Sequence, residues 1–110
     1  MNIKEIMENN PDGFTVDFKT GNPIRQGYAV ALTNWTAEDW EKPETLMAVN
    51  NIQNKFGSGF QYTLGGWKEG NTYYLDFGII VYTLEEAKRI GREYGQKAIY
   101  NLDTSQTIYI

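Results

Sequence analysis

The acidic residues are the side chains of this chain that are most able to do chemistry. Those that could act as a carboxylate pair are Asp17, Glu38, Asp39 and Asp76. Asp76 draws attention because it interrupts an apolar strand pattern, but no basic or metal-binding residue accompanies it at a defined spacing. We therefore interpret Asp76 as a hydrogen-bonded strand or edge residue rather than a catalytic acid or base. The sequence predicts no catalytic residue.

Two residue types that often carry enzyme chemistry do not occur in the sequence. The 110 residues include no cysteine and no histidine, which excludes disulfides, thiol nucleophiles and the commonest general base. The acids do not follow the Asp-x-Asp-x-Asp-Gly order of a calcium loop, and Gly57-Ser58-Gly59 lacks the Lys-Ser/Thr ending of a phosphate loop. We predict neither a metal nor a cofactor.

The charge and hydropathy of the chain limit its partners. A net charge of −4 argues against binding to duplex nucleic acid, because such binding depends on clustered Lys and Arg that neutralise phosphates. No apolar run reaches the length of a membrane span, and the first residues lack the apolar block of a secretion signal. We therefore predict a cytoplasmic protein that does not contact membranes.

The elements that must position these residues follow from the hydrophobic pattern. It predicts one α+β domain over residues 1–110, with a short helix within residues 1–12. We expect an antiparallel or mixed sheet of about five to six strands, with two main helices packed mainly on one face.

Six apolar runs carry the strand predictions, and the last two, at 98–102 and 106–110, are expected to form a closing hairpin. The alternating run at 14–18 and the run at 28–33 flank a turn-rich segment, which indicates a hairpin with a long loop. A later strand is expected to end at Gly65-Gly66. Residues 73–82 are apolar on both faces, so we place that strand at the centre of the sheet.

The helix predictions depend on caps and on the 3.6-residue period. A helix is expected from Pro43 to Phe56, with Leu46, Val49 and Ile52 on its inward stripe. Thr83 and Glu86 have the spacing of a capping box that starts a second helix. Gly95 is expected to end that helix in the left-handed conformation.

Short motifs spread over most of the chain carry a resemblance. They are Thr20-Gly21, Gly27-Tyr28-Ala29-Val30, Gly65-Gly66-Trp67, Tyr74-Leu75-Asp76, Glu86-Ala87 and Gly95-Gln96-Lys97-Ala98-Ile99. In these motifs and their spacing the chain resembles the small large-polyvalent-protein-associated domains of phages and conjugative elements. The resemblance implies an origin on a mobile genetic element and an uncharacterised activity, and it assigns no catalytic residues.

Two tryptophans beside an acidic segment give the favoured functional hypothesis. Glu38 and Asp39 lie between Trp35 and Trp40 in the sequence, and Glu41 directly follows Trp40. Exposed indoles anchor interfaces and acidic side chains steer a basic partner, so we predict that these residues bind a protein partner. In the alternative, the indoles cap the core. We accordingly interpret the chain as a non-catalytic protein-binding or regulatory module of a mobile element.

A second hypothesis is binding of single-stranded nucleic acid, specifically RNA. In "LDFGIIVY" the aromatic residues partly match the signature of an RNA-recognition strand, which makes Tyr74, Phe77 and Tyr82 the candidate stacking residues. Leu75 and Asp76 stand where that signature has a basic residue and a glycine. A packed core strand is therefore the favoured interpretation of this segment.

Overall fold

The sheet and its helices follow the order that the sequence pattern predicts. The computed structural model describes residues 2–110, so residue 1 of the predicted domain lies outside the described residues. The elements are α1 (Ile3–Asn9), β1 (Phe14–Asp17), β2 (Tyr28–Thr36), α2 (Pro43–Phe56), β3 (Gln61–Glu69), β4 (Thr72–Val81), α3 (Leu84–Glu93), β5 (Ala98–Asn101) and β6 (Gln106–Tyr109). A single 3₁₀ turn, Ala37–Asp39, lies between β2 and α2. The α+β prediction is confirmed.

The six described strands form one antiparallel sheet in the order β1-β3-β4-β2-β5-β6. β4 lies between β3 and β2 in the interior of the sheet, as its two apolar faces predict. The predicted hairpin between β1 and β2 is wrong, because β1 pairs with β3 and β2 pairs with β4. The intervening loop first returns along β1, where Ile24 donates its backbone N–H to the Thr15 carbonyl at 3.1 Å, and then crosses to β2.

One face of the sheet is covered by the helices and holds the core. The larger cluster joins Val30, Phe77 and Ile79 of the sheet to Ile52 of α2 and Ile90 of α3. A smaller cluster of Val16, Leu64 and Leu75 is covered by α1 and by half-buried aromatic residues. Burial of these side chains supplies the main stabilisation of the fold, and it leaves the opposite face of the sheet without a helical layer.

The strand through Gly65-Gly66 does not end there, contrary to the prediction, and continues to Glu69. Each glycine makes room for side chains from neighbouring strands. A Cβ atom at Gly65 would lie 2.6 Å from Oδ1 of Asp76, and one at Gly66 would overlap the ring of Phe14. Glycine is therefore required at these two positions because side chains approach the strand closely on both faces of the sheet, and not because the chain turns there.

The helix boundaries are confirmed, but the inward stripe of α2 is rotated. Thr45, Val49 and Ile52 are buried, whereas Leu46 is 51% exposed. The spacing i, i+4, i+7 belongs to one helix face, and Leu46 lies about 100° away from it. At α3, Thr83 accepts from the Glu86 N–H at 3.3 Å, which is one of the two hydrogen bonds of the predicted capping box. Gly95 has the predicted left-handed conformation, with a φ of +71°.

Candidate functional site

The face of the sheet opposite the helices is concave and open, and it is the candidate functional site. It encloses a groove of about 1090 Å³. Small side chains make up much of the floor and lining: Thr15, Ala29, Ala31, Thr63 and Gly65. On an open antiparallel sheet such positions usually carry long polar side chains, so the small residues are what leaves space for a ligand. We call this surface the concave groove.

Antiparallel register places one polar row across the middle of the concave groove. Thr15 pairs with Gly65, Gly65 with Asp76, and Asp76 with Asn34. These four residues therefore lie side by side on strands β1, β3, β4 and β2. Asp76 is the charged member of the row, and its two cross-strand neighbours carry no titratable group.

Asp76 is partly buried and has no partner within the described chain. None of the ion pairs among residues 2–110 includes it, and its carboxylate leans over the backbone of Gly65. The surrounding protein removes water from the carboxylate, and this desolvation raises the pKa of Asp76 from 3.8 to about 6. Asp76 is therefore a strand residue, as predicted, but its side chain forms none of the expected hydrogen bonds among residues 2–110.

An aromatic pair forms the wall next to Asp76. Trp67 of β3 and Tyr74 of β4 are cross-strand partners, and their rings stack with centroids 4.5 Å apart at 20°. They lie two residues along from Gly65 and Asp76, a distance of about 7 Å on the same face. Trp67 is 41% exposed, so the ring system faces the space above the carboxylate.

The other side of the concave groove is formed where β2 and β5 diverge. The two strands pair only through Tyr28↔Asn101 and Ala29↔Tyr100, so β2 beyond Val30 leaves an opening toward the start of β5. Tyr109 is 80% exposed at this side. The charged rim residues Asp12, Arg25 and Lys97 are exposed and come from connecting segments.

The predicted nucleic-acid residues lie in three different environments. Phe77 is fully buried on the helix-covered face, where it packs against Phe18 and Tyr62, so it is not accessible to a base. Tyr74 is half-buried and stacks on Trp67, which lines the concave groove. Tyr82 is 68% exposed but lies at the far end of β4, about 27 Å along the strand from Tyr74.

The predicted protein-contact segment forms a compact corner of the fold. The indoles of Trp35 and Trp40 stack with centroids 5.7 Å apart at 4°, and both are half-buried. Trp40 also packs edge-on against Phe18 at 6.3 Å. The N–H of Trp35 is buried and meets no acceptor among the described residues. These contacts give the indoles a place in the core of the molecule.

The acidic residues of the same segment are more accessible than the indoles. Glu38 and Glu41 are exposed. Asp39 pairs with Lys42 at 2.8 Å, and the hydrogen bond from Lys42 holds the pKa of Asp39 below its ordinary value. Exposed Met47 follows in the first turns of α2. The acids are thus accessible in a segment that contributes no residue to the concave groove.

Asp17, the other predicted carboxylate, has a structural role at the start of the β1–β2 loop. Its Oδ1 accepts from the backbone N–H groups of Lys19 and Thr20 at 2.8 and 3.0 Å, and its Oδ2 accepts from the Gln61 side chain at 2.9 Å. The Gln61 hydrogen bond makes the largest contribution to lowering the pKa of Asp17. Asp17 is therefore occupied by the loop that it caps.

The sequence reasoning missed the concave groove as a whole. Its signal was present as small residues at alternate strand positions, such as Ala29 and Ala31 in β2 or Thr63 and Gly65 in β3. Those residues become one surface only when the strand order is known, because the order brings four strands together that are distant in sequence.

Comparison with known proteins adds no relative to this geometry. No protein-family model, no curated protein and no solved structure matches the chain. Within residues 2–110, none of the helices combines the length and the apolar character needed to cross a bilayer.

Proposed function

We propose that this protein is a binding module whose concave groove receives a segment of a protein partner, and that it acts by binding rather than by catalysis. The observation that carries the proposal is an open sheet face lined by small residues and by Trp67, whose ring stacks on that of Tyr74. Ligand sites are concave, largely preformed and rich in aromatic side chains around a few polar groups, and this face has each of those properties.

The dimensions of the concave groove suit a peptide segment. Its volume of about 1090 Å³ lies near the upper end of the range for small-molecule pockets. Its floor runs across four strands, and it continues into the opening between β2 and β5. An extended chain that lies along the strands has the same residue spacing as the strands beneath it, so every second side chain of the partner would meet successive rows of the floor.

Catalysis is not part of the proposal because Asp76 is the one titratable residue in the polar row across the concave groove. General acid–base or nucleophilic chemistry needs a second positioned group beside the first. The cross-strand neighbours of Asp76 are Gly65 and Asn34, and neither can accept or relay a proton in that way.

Single-stranded nucleic acid is the second candidate for the concave groove. Exposed aromatic residues on this face favour it, since bases stack on such side chains. Trp67 and Tyr74 would take part together with Tyr100 and Tyr109, in place of the buried Phe77. The net charge of −4 and the carboxylate on the floor both oppose phosphate, and for this reason we rank a protein segment first.

The cellular setting and the acidic segment complete the proposal. The resemblance to domains of phages and conjugative elements supports a role in the cytoplasm of a host cell that carries such an element. Trp35, Glu38, Asp39, Trp40 and Glu41 stay a predicted partner contact. In that role the exposed acids and Met47 would meet the partner, while the stacked indoles would support them from beneath.

The experiment that tests the proposal is selection of linear peptides from a random displayed library, followed by mapping of their binding site. We expect enriched peptides that bind the isolated protein with dissociation constants of about 1–100 μM, as for modest buried areas. In ¹H–¹⁵N spectra their binding should shift the amides of Ala31, Gly65 and Gly78 more than those of α2. Failure to enrich any peptide, or shifts confined to α2, would contradict the proposal.

A further inference from the structure

We propose that the concave groove recognises a lysine or arginine side chain of its ligand, with Asp76 as the counter-ion. This inference rests on the proposed function, since it names the chemistry of the segment that enters the groove. The geometry that carries it is a carboxylate on the groove floor that forms no ion pair among residues 2–110, near the accessible ring of Trp67 and the Tyr74 ring stacked on it.

The charge of Asp76 selects the sign of the ligand. A partly buried carboxylate has lost part of its hydration, and a cation that forms charge-assisted hydrogen bonds is the strongest available compensation. The desolvation that raises the pKa of Asp76 leaves the group mostly ionised at neutral pH. Asn34, its neighbour on β2, offers an amide oxygen as a further acceptor for a guanidinium or ammonium group.

Trp67 and Tyr74 select the shape of the ligand. A cation held at Asp76 would lie about 7 Å or less along the sheet from the two rings, given the spacing of alternate residues. Aromatic faces attract lysine and arginine cations, and they also cover the apolar stem of these side chains. The same pair would gain little from an acidic side chain, which the carboxylate below would repel.

Gly65 positions the carboxylate for this role. Its missing side chain leaves the space into which Asp76 leans, since a Cβ atom there would lie 2.6 and 2.7 Å from the two carboxylate oxygens. The charged residues at the rim, Asp12, Arg25 and Lys97, are exposed, and neither cation forms an ion pair with Asp76. The carboxylate is thus held in a defined place and is free to pair with a ligand.

The test is an NMR titration of the full chain with three capped pentapeptides, Ac-Ala-Ala-X-Ala-Ala-NH₂, in which X is lysine, arginine or norleucine. Norleucine keeps the apolar stem of lysine and lacks the charge. We expect the lysine and arginine peptides to shift the amides of Gly65 and Asp76 in a saturable way, with affinity about tenfold or more above that of the norleucine peptide. The side-chain carboxyl carbon of Asp76 should also titrate at lower pH when either basic peptide is present, because a bound cation favours the ionised form.

The matched variants are Asp76→Asn on the groove floor and Glu85→Gln on exposed α3 outside the groove, and each removes one negative charge. Asp76→Asn should remove the preference for the basic peptides, and Glu85→Gln should leave it within about twofold. If the norleucine peptide binds the groove as well as the lysine peptide, the inference is wrong while the proposed function stands. If neither basic peptide shifts the groove amides, the inference is wrong. If octauridylate shifts them instead, and Asp76→Asn leaves that binding unchanged, the proposed function is also replaced by the nucleic-acid candidate.

Discussion

At the scale of single residues, Asp76 is the position where stability and binding are expected to oppose each other. Its carboxylate is desolvated and unpaired within the described chain, an arrangement that lowers the stability of the free protein above the pKa of the group. Desolvated and unpaired charged residues are concentrated at functional sites, because a bound ligand can supply the missing counter-ion or hydrogen bonds. The same residue therefore provides one prediction about stability and one about recognition.

Asp76→Asn should stabilise the free protein at pH 7. In the folded state the pKa is about 6, compared with an ordinary value of 3.8. Between those values the folded state holds a proton that the unfolded chain has lost, so the stability contributed by this group falls as pH rises from about 4 to about 7. We expect the variant to gain about 3 kcal/mol at pH 7 and only a small fraction of that at pH 4. Urea unfolding of both proteins across this pH range measures the difference, and a constant offset at all pH values would contradict the prediction.

Trp40→Ala should destabilise the fold, because the indole contributes to packing. Trp40 stacks on Trp35, contacts Phe18 and borders the cluster around Leu75. We expect a loss of about 3 kcal/mol, as for large core truncations. The matched control is Trp67→Ala, whose exposed ring should cost less than about 1 kcal/mol of stability. Equal losses of thermal midpoint in the two variants would show that Trp40 is no more important to the core than Trp67.

At the scale of elements, the sequence patterns predicted the secondary structure of each segment but missed some of its packing partners. Pro43 and Gly95 correctly marked helix ends because caps act locally. The pattern gave the wrong partner for β1, since a four-residue strand contains no information about which edge it joins. It also misread Gly65-Gly66, where the reason for glycine lies in Asp76 and Phe14 on other strands.

The joint between α3 and β5 gives a prediction at this scale. Gly95 has a φ of +71°, and nothing lies within 4 Å of the position that a Cβ atom would take. Gly95→Val should therefore be destabilising through backbone strain alone, by about 1–2 kcal/mol. Gln96→Ala, the neighbouring control, should cost less than half of that loss. Chemical denaturation of the two variants checks this, and a Gly95→Val protein as stable as wild type would contradict the left-handed cap.

At the scale of the whole molecule, the placement of helices on one face decides what the protein presents to a partner. The covered face uses most large apolar residues for the core, and the open face keeps a curved floor of small ones. The concave groove could not be predicted from the sequence because it depends on the order β1-β3-β4-β2-β5-β6. Asp76 could be noticed in the sequence, but its lack of a partner could not.

The overall charge of the molecule predicts a low affinity for nucleic acid. With a net charge of −4 and a carboxylate on the groove floor, we expect no binding to random duplex DNA below about 100 μM at physiological salt. Any affinity for single strands should be weak and should fall further in Trp67→Ala, because stacking on the indole would supply much of it. Fluorescence anisotropy with labelled duplex and single-stranded oligonucleotides measures both, and submicromolar duplex binding would overturn the charge argument.

The most direct test of the central claim is the affinity of one selected peptide for a protein whose concave groove has been filled. Ala31→Phe puts a ring on the groove floor, and Asn50→Phe puts the same ring on the exposed side of α2. Both variants should keep the far-UV circular dichroism of the wild type. Isothermal titration should then show a loss of affinity of about tenfold or more for Ala31→Phe and less than about twofold for Asn50→Phe. Unchanged affinity for a folded Ala31→Phe protein would contradict the assignment of the concave groove as the binding site.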